Sequence, residues 1–138
     1  MARDVGAQDA LDVVQDVYGA FGRGDIPGLL AMLTEDVAWG VEGRAQDYPT
    51  FGARQGRQGA LEFFQAMGGT EDISRFEPQA FHAAGDTVAV EGRIAVTLKT
   101  NGKSLDYAWL HLFTVRDGKI ARFKEFYDTA QVVEAYRA

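Results

Sequence analysis

Among 138 residues there are no cysteines and only two histidines. A thiolate nucleophile, a disulfide framework and a cysteine-ligated zinc site are therefore excluded, and a histidine-rich metal cluster has too few donors. The chemistry left to the chain belongs to carboxylates, hydroxyls and imidazole. They meet in "YAWLHLFTVRDGKIARFKEFYD", residues 107–128, where His111 and Glu125 interrupt two aromatic and aliphatic runs. An imidazole and a carboxylate on one apolar wall can move a proton.

Turn chemistry decides whether the two share a wall. Between Thr87 and Lys99 one alternating set holds Val88, Val90, Gly92, Ile94, Val96 and Leu98, and the other holds Thr87, Glu91, Arg93, Thr97 and Lys99. The first set faces a core. Asn101-Gly102 favours a two-residue type I′ turn, which pairs Val96 with Tyr107, Ile94 with Trp109 and Gly92 with His111. Paired residues share a face, so Tyr107, Trp109, His111 and Phe113 point inward, and Gly92 leaves space beside the imidazole.

On the last strand Phe123, Glu125 and Tyr127 lie on one side, and Arg122 and Lys124 mark the other as solvent-facing. A three-residue loop Arg116-Asp117-Gly118, a type I turn with a glycine bulge, brings the first set onto the inner face. His111 then lies opposite Phe123, Glu125 lies opposite Trp109, and the two ionisable groups are diagonal neighbours at roughly 7 to 8 Å. With an effective dielectric of about 20 and charges roughly 6 Å apart they attract by about 3 kcal/mol. Burial opposes this by penalising both charged forms. The pair could equally be a buried ion pair that only satisfies itself; the glycine facing the histidine favours a pocket.

The elements that must hold this wall follow from periodicity. Leu11, Val14, Val17, Tyr18 and Phe21 recur at helical spacing, and Gly22-Arg23-Gly24 ends that helix. Asp25 is placed as an N-cap, with Pro27 in the first turn of a short helix carrying Leu29, Leu30, Met32 and Leu33. Val37 to Val41 reads as a strand with Trp39 on the side of the valines, and residues 43–56 read as a glycine-containing loop. Residues 59–67 form a third helix stopped by Gly68-Gly69. Four strands follow, about Ile73 to Ala83, Thr87 to Lys99, Lys103 to Val115 and Lys119 to Tyr127. Asp128, with Gln131 three residues on, starts a C-terminal helix. Helices followed by an antiparallel meander predict a single α+β domain over residues 1–138, with helices on one face of a curved, mostly antiparallel sheet.

The net charge of -6 and scattered basic residues argue against nucleic acid as a partner. The N-terminal nine residues lack the apolar run of a signal peptide, and no stretch of about eighteen apolar residues occurs, so a membrane is not expected and a cytoplasmic location is.

The segments "GRGDIPGLLAMLTEDVAW", "GRQGALEFFQAM" and "WLHLFTVRDGKIARFKEFYD" resemble the SnoaL-like polyketide cyclase group of the NTF2-like superfamily, which also includes ketosteroid isomerase and limonene epoxide hydrolase. The resemblance spans nearly the whole chain. It implies a cone-shaped fold with a pocket between helices and sheet. Ketosteroid isomerase's oxyanion-holding and proton-moving positions correspond here to Val17, His111 and Val41, so the isomerase base is absent, with Glu42 and Tyr18 nearby. The water-activating positions of limonene epoxide hydrolase correspond to Gly92, Ile94 and Glu125, leaving a single acid. In the polyketide cyclases an acidic base on the last strand and a histidine on its neighbour carry the aldol step. Glu125 and His111 match them, with glutamate in place of aspartate.

The resemblance thus implies proton abstraction by Glu125 with His111 as donor, needing no metal or cofactor, on an apolar carbonyl-containing small molecule. Trp39, Tyr18, Tyr107, Trp109, Phe123 and Tyr127 would form the pocket walls. A non-catalytic small-molecule-binding or dimerisation module is the alternative. Ala108, Leu110 and Leu112 form an outward apolar stripe with no helix to cover it, which predicts a homodimer through that sheet face. His82 reads as an incidental surface histidine without an acidic partner, and Arg54 and Arg57 read as solvated.

Overall fold

The computed structural model describes residues 5–138; residues 1–4, part of the N-terminal stretch without an apolar run, lie outside the described residues. Helix α1 spans Val5–Gly22 and α2 Ile26–Ala31, followed by β1 (Leu33–Val41), β2 (Gly52–Gln55), α3 (Gly56–Thr70), β3 (Glu71–Ala84), β4 (Thr87–Leu98), β5 (Ser104–Arg116), β6 (Lys119–Tyr127) and α4 (Thr129–Arg137). The strands form one six-stranded sheet in the order β2-β1-β6-β5-β4-β3. All neighbours are antiparallel except β1 and β6, which run parallel with Trp39 beside Phe123 and Val41 beside Glu125.

Local signals hold where they are self-contained. Asp25 accepts from the Gly28 amide at 2.9 Å and caps α2, and Asp128 accepts from the Gln131 amide at 3.1 Å and caps α4. Gly24, at φ +71°, ends α1, because only a residue tolerant of that conformation lets the Asp25 amide fold back onto Ala20. Several boundaries move outward, with β1 beginning at Leu33, expected in the short helix, instead of at Val37, and α3 beginning at Gly56 instead of residue 59. Helix α3 runs through Gly68-Gly69 to Thr70, and β2 is carved out of the segment read as loop. Gly40 makes the second possible: a Cβ there would lie 3.2 Å from the Gly52 carbonyl, so the glycine admits β2 alongside β1.

Both hairpins differ in register from expectation. Ile94 pairs with Tyr107, Gly92 with Trp109 and Val90 with His111, a slip of two residues. The cause is Asn101. Its side-chain amide donates to the Ala135 and Ala138 carbonyls at the end of α4, and its Oδ1 accepts from the Lys103 amide, so the turn widens to residues 99–103 instead of closing as a type I′ pair. A slip of two preserves every face, and Tyr107, Trp109, His111 and Phe113 are all buried.

In the β5–β6 hairpin, Arg116 pairs with Lys119 across a two-residue turn in which Asp117 (φ +52°) and Gly118 (φ +76°) both lie in the left-handed region, the type I′ geometry. That turn alone would send Phe123 and Glu125 outward. A bulge at Ala121, between the Val115–Ile120 and Thr114–Arg122 pairs, turns them back in. His111 therefore pairs directly with Glu125, and Phe113 with Phe123; the expected diagonal becomes a cross-strand pair.

The core lies between the concave face of the sheet and α1 and α3, where Val14, Val17 and Ala20 of α1 are buried together with Val88, Val90, Ile94 and Phe113 of β4 and β5. Burying a side chain of this size contributes roughly 1.5 to 3 kcal/mol. No helix among the described residues is long and apolar enough to cross a membrane.

Candidate functional site

Three elements bring one polar group each to the inner face. Tyr18 comes from the last two turns of α1, His111 from the middle of β5 and Glu125 from β6. The Tyr18 hydroxyl lies 2.7 Å from His111 Nδ1, and His111 Nε2 lies 2.7 Å from Glu125 Oε2. Side-chain exposure is 6% for His111 and 15% for Glu125, so the pair is shielded but the carboxylate still reaches open space. Both ring nitrogens are engaged. With Glu125 ionised, Nε2–H donates to the carboxylate, and Nδ1 accepts from the Tyr18 hydroxyl.

Aromatic packing fixes the imidazole. Trp109 stacks on it with ring centres 3.8 Å apart, Phe76 stacks on Trp109 at 5.1 Å, and Tyr18 lies nearly parallel to the imidazole at 5.9 Å. Gly92 serves this stack. A Cβ there would fall 2.2 Å from the Trp109 ring and 2.5 Å from the Glu77 carbonyl. The glycine thus makes room for the indole, and the expected gap beside His111 is not what it provides.

The cavity against this chain has a volume of about 50 Å³. Besides Tyr18, His111 and Glu125 its lining is apolar or aromatic, with Trp39, Phe63, Phe123 and Ile94 in the wall and Phe21, Phe64, Met67 and Phe76 only half-buried. Trp39 stacks on Phe123 at 4.1 Å. About 50 Å³ holds a few waters, whereas a cavity that binds benzene is about 150 Å³. An aromatic ligand must therefore displace the half-buried side chains, for which the flexible Met67 is suited.

Of the expected wall residues, Tyr18, Trp39 and Phe123 line the cavity with His111 and Glu125, whereas Tyr107, Trp109 and Tyr127 stand outside its lining. Tyr107 and Tyr127, 4.8 Å apart, belong instead to a second polar cluster that sequence reasoning missed. At its centre Glu71, 7% exposed, accepts a 2.5 Å hydrogen bond from Tyr48. Burial, aided by the charge of Glu125, pushes the Glu71 carboxyl up to about 7 against the opposing pull of the Tyr48 bond. The hydroxyls of Tyr18, Tyr48, Tyr107 and Tyr127 are all driven far above the ordinary phenol range, first by burial and next by a neighbouring carboxylate or, at Tyr107, by Tyr127 ahead of the carboxylates. They act as neutral hydroxyls. Phe63, Phe64 and Met67 are readable as the apolar face of α3; Glu71 falls between that helix and the strand expected from Ile73, where nothing in the sequence marks it as buried.

Other expectations are corrected. His82 does have an acidic partner, Glu91, at 2.7 Å, though both are 61% exposed. Arg54 and Arg57 are half-buried and donate to the carbonyls of Pro49 and Leu33, the first tying the preceding loop to β2 and the second tying α3 to β1. Among the described residues no group of three or more His, Asp and Glu side chains is arranged to hold a metal ion.

Comparison with known proteins fits this architecture. No curated protein sequence matches the chain significantly. Among solved structures, an NTF2-like protein from Burkholderia xenovorans LB400 is 31% identical, with a TM-score of 0.85 over 94% of this chain and 97% of the other. TerC, co-crystallised with polyporic acid, is 27% identical with a TM-score of 0.83 over 94% and 99%. A protein from Xanthomonas campestris pv. campestris, described as a candidate polyketide cyclase, is 27% identical with a TM-score of 0.75 over 95% and 98%. The SnoaL-like domain model matches residues 14–123, the span from α1 into β6 that contains Tyr18, His111 and every cavity-lining residue except Glu125, and the chain belongs to the SnoaL-like family of the NTF2-like superfamily.

Proposed function

We propose that the chain is a small-molecule enzyme of acid/base type, acting on an apolar ligand that carries a carbonyl group. The observation that carries this reading is the unbroken hydrogen-bonded series Tyr18–His111–Glu125 set into an otherwise apolar cavity wall. A buried ion pair serving stability alone needs no third group and no cavity beside it. Here the His111–Glu125 pair forms the basic centre. Because both imidazole nitrogens are taken, His111 acts on a ligand through the Tyr18 hydroxyl, which becomes a donor to an oxygen on which charge develops once His111 Nδ1 carries a proton. The TerC complex and the likeness to a candidate cyclase support a small organic ligand in this cavity.

The test is turnover of polyketide-like, terpenoid and steroid carbonyl compounds, with Glu125→Gln as the control. Turnover by the wild type that survives unchanged in the variant would remove the carboxylate from the reaction.

A second proposal concerns assembly. Leu110 (38% exposed) and Phe126 (37% exposed) extend the apolar outer face around Ala108. We infer a homodimer through this face, bounded by the exposed Arg93–Asp106 and Arg75–Asp106 ion pairs. Scattering that gives a monomer mass at micromolar concentration would refute it.

A further inference from the structure

The proton count of the triad fixes which kind of polar group a ligand must bring, and the geometry points to a hydroxylated ligand. This rests on the acid/base reading of the cavity and narrows it. In the state with one proton on the imidazole and an ionised Glu125, the Tyr18 O–H is committed to His111 Nδ1 and the imidazole N–H to Glu125 Oε2. What these groups leave to the cavity is a lone pair on Tyr18 Oη and the second carboxylate oxygen, both acceptors. The other residues of the lining are apolar apart from Trp39, and its indole N–H is covered by neighbouring atoms without reaching open space. A ligand offering only a carbonyl or ether oxygen meets no donor here. A phenol or enol donates to an acceptor already in place.

The same arrangement supplies the next step with its atoms in balance. The ligand O–H bond breaks as its proton forms a bond to Tyr18 Oη, and the former Tyr18 proton moves to His111 Nδ1. The products are a ligand oxyanion, a neutral tyrosine and an imidazolium paired with the Glu125 carboxylate. Tyr18 now donates to the oxyanion, because Nδ1–H has become the donor to Tyr18. Adding one proton thus reverses the polarity of the wall, turning an acceptor site for an acid into a donor site for its conjugate base, and hydroxyl, imidazole and carboxylate share the labour as in a serine-type triad.

The experiment uses the whole chain and three probes of similar size: phenol, anisole and acetophenone, titrated by ligand-observed NMR. At pH 8 phenol is expected to bind about tenfold more tightly than anisole, the fold-change for one hydrogen bond to a charged network. On acidification acetophenone should gain relative to phenol. In parallel, ¹⁵N shifts of the His111 ring at pH 8 should report a protonated Nε2 and an unprotonated Nδ1. Anisole or acetophenone binding as tightly as phenol at pH 8, or a protonated Nδ1 in the free protein, overturns the inference and leaves the acid/base cavity standing. Failure of all three probes to bind overturns both.

Discussion

The inner face of the sheet carries a buried glutamate, Glu71, and a partly buried one, Glu125, each hydrogen-bonded within a set of aromatic rings, and they differ in what else surrounds them. Glu125 faces an imidazole that can carry positive charge, and its carboxylate reaches a cavity. Glu71 faces only phenols, Tyr48 with Tyr107 and Tyr127 nearby, and lines no described cavity. A neutral phenol can donate one hydrogen bond but cannot balance a charge, so burial dominates at Glu71 and favours the protonated acid. Proximity of a carboxyl to tyrosines is thus not enough to make a site. A basic partner and open space distinguish the two.

The largest expected effect separates them by activity. Glu125→Gln should reduce turnover by at least about a hundredfold, the usual contribution of a positioned base, whereas Glu71→Gln should leave turnover within about twofold. Steady-state kinetics on one substrate compares both directly. Equal losses would mean that the two carboxyls form one working unit.

Stability against pH should separate them in the other direction. The folded protein keeps its proton on Glu71 up to about 7, while the unfolded chain releases it near 4.3, so between these values the native state binds more protons. The contribution is fully present below about pH 4, is lost as pH rises through about 7, and amounts to roughly 4 kcal/mol at most. Glu71→Gln should flatten this decline and raise the thermal midpoint at pH 8 by several degrees. A thermal scan from pH 4 to 9 in which wild type and variant run parallel would contradict the assignment.

Removing the hydroxyls tests the partners. Tyr48→Phe leaves Glu71 without its donor and should cost about 1 to 3 kcal/mol by chemical denaturation, most of it above pH 7. The smallest effect concerns the cavity mouth. Gly68 and Gly69 sit inside α3 with no atom near enough to clash with a Cβ, one turn from Phe64 and Met67. Alanine at either should stabilise α3 by about 0.5 to 1 kcal/mol and slow ligand association by stiffening the helix, while leaving the Glu71 cluster untouched. Stopped-flow association rates that do not change would locate the opening elsewhere.

Faces were legible in the sequence and registers were not, for one reason. Alternation has period two, so the slip of β4 against β5 left His111, Trp109 and Tyr107 inward while moving Gly92 from the histidine to the tryptophan. That slip depends on an Asn101 bond to a helix 34 residues further on, which no local turn rule contains. At Asp117-Gly118 the requirement that Glu125 face inward was readable, but a two-residue turn plus a bulge at Ala121 meets it as well as a three-residue loop does. Glu71 escaped because β3 carries two register shifts, at residues 73–75 and 78–80, that erase its alternation.

The parallel pairing of β1 with β6 sets when the site can come into being. Residues 38–41 lie against residues 122–125, so the wall that holds Trp39, Phe123 and Glu125 joins segments more than 80 positions apart in the chain. Loop closure over that span is among the slower events available to a domain of this size. On a ribosome α1 to α3 and the β3–β4–β5 meander emerge first, and the part of the apolar concave face that β6 completes stays open until β6 docks. Docking of β6 therefore completes the cavity wall and closes the window for aggregation in one step.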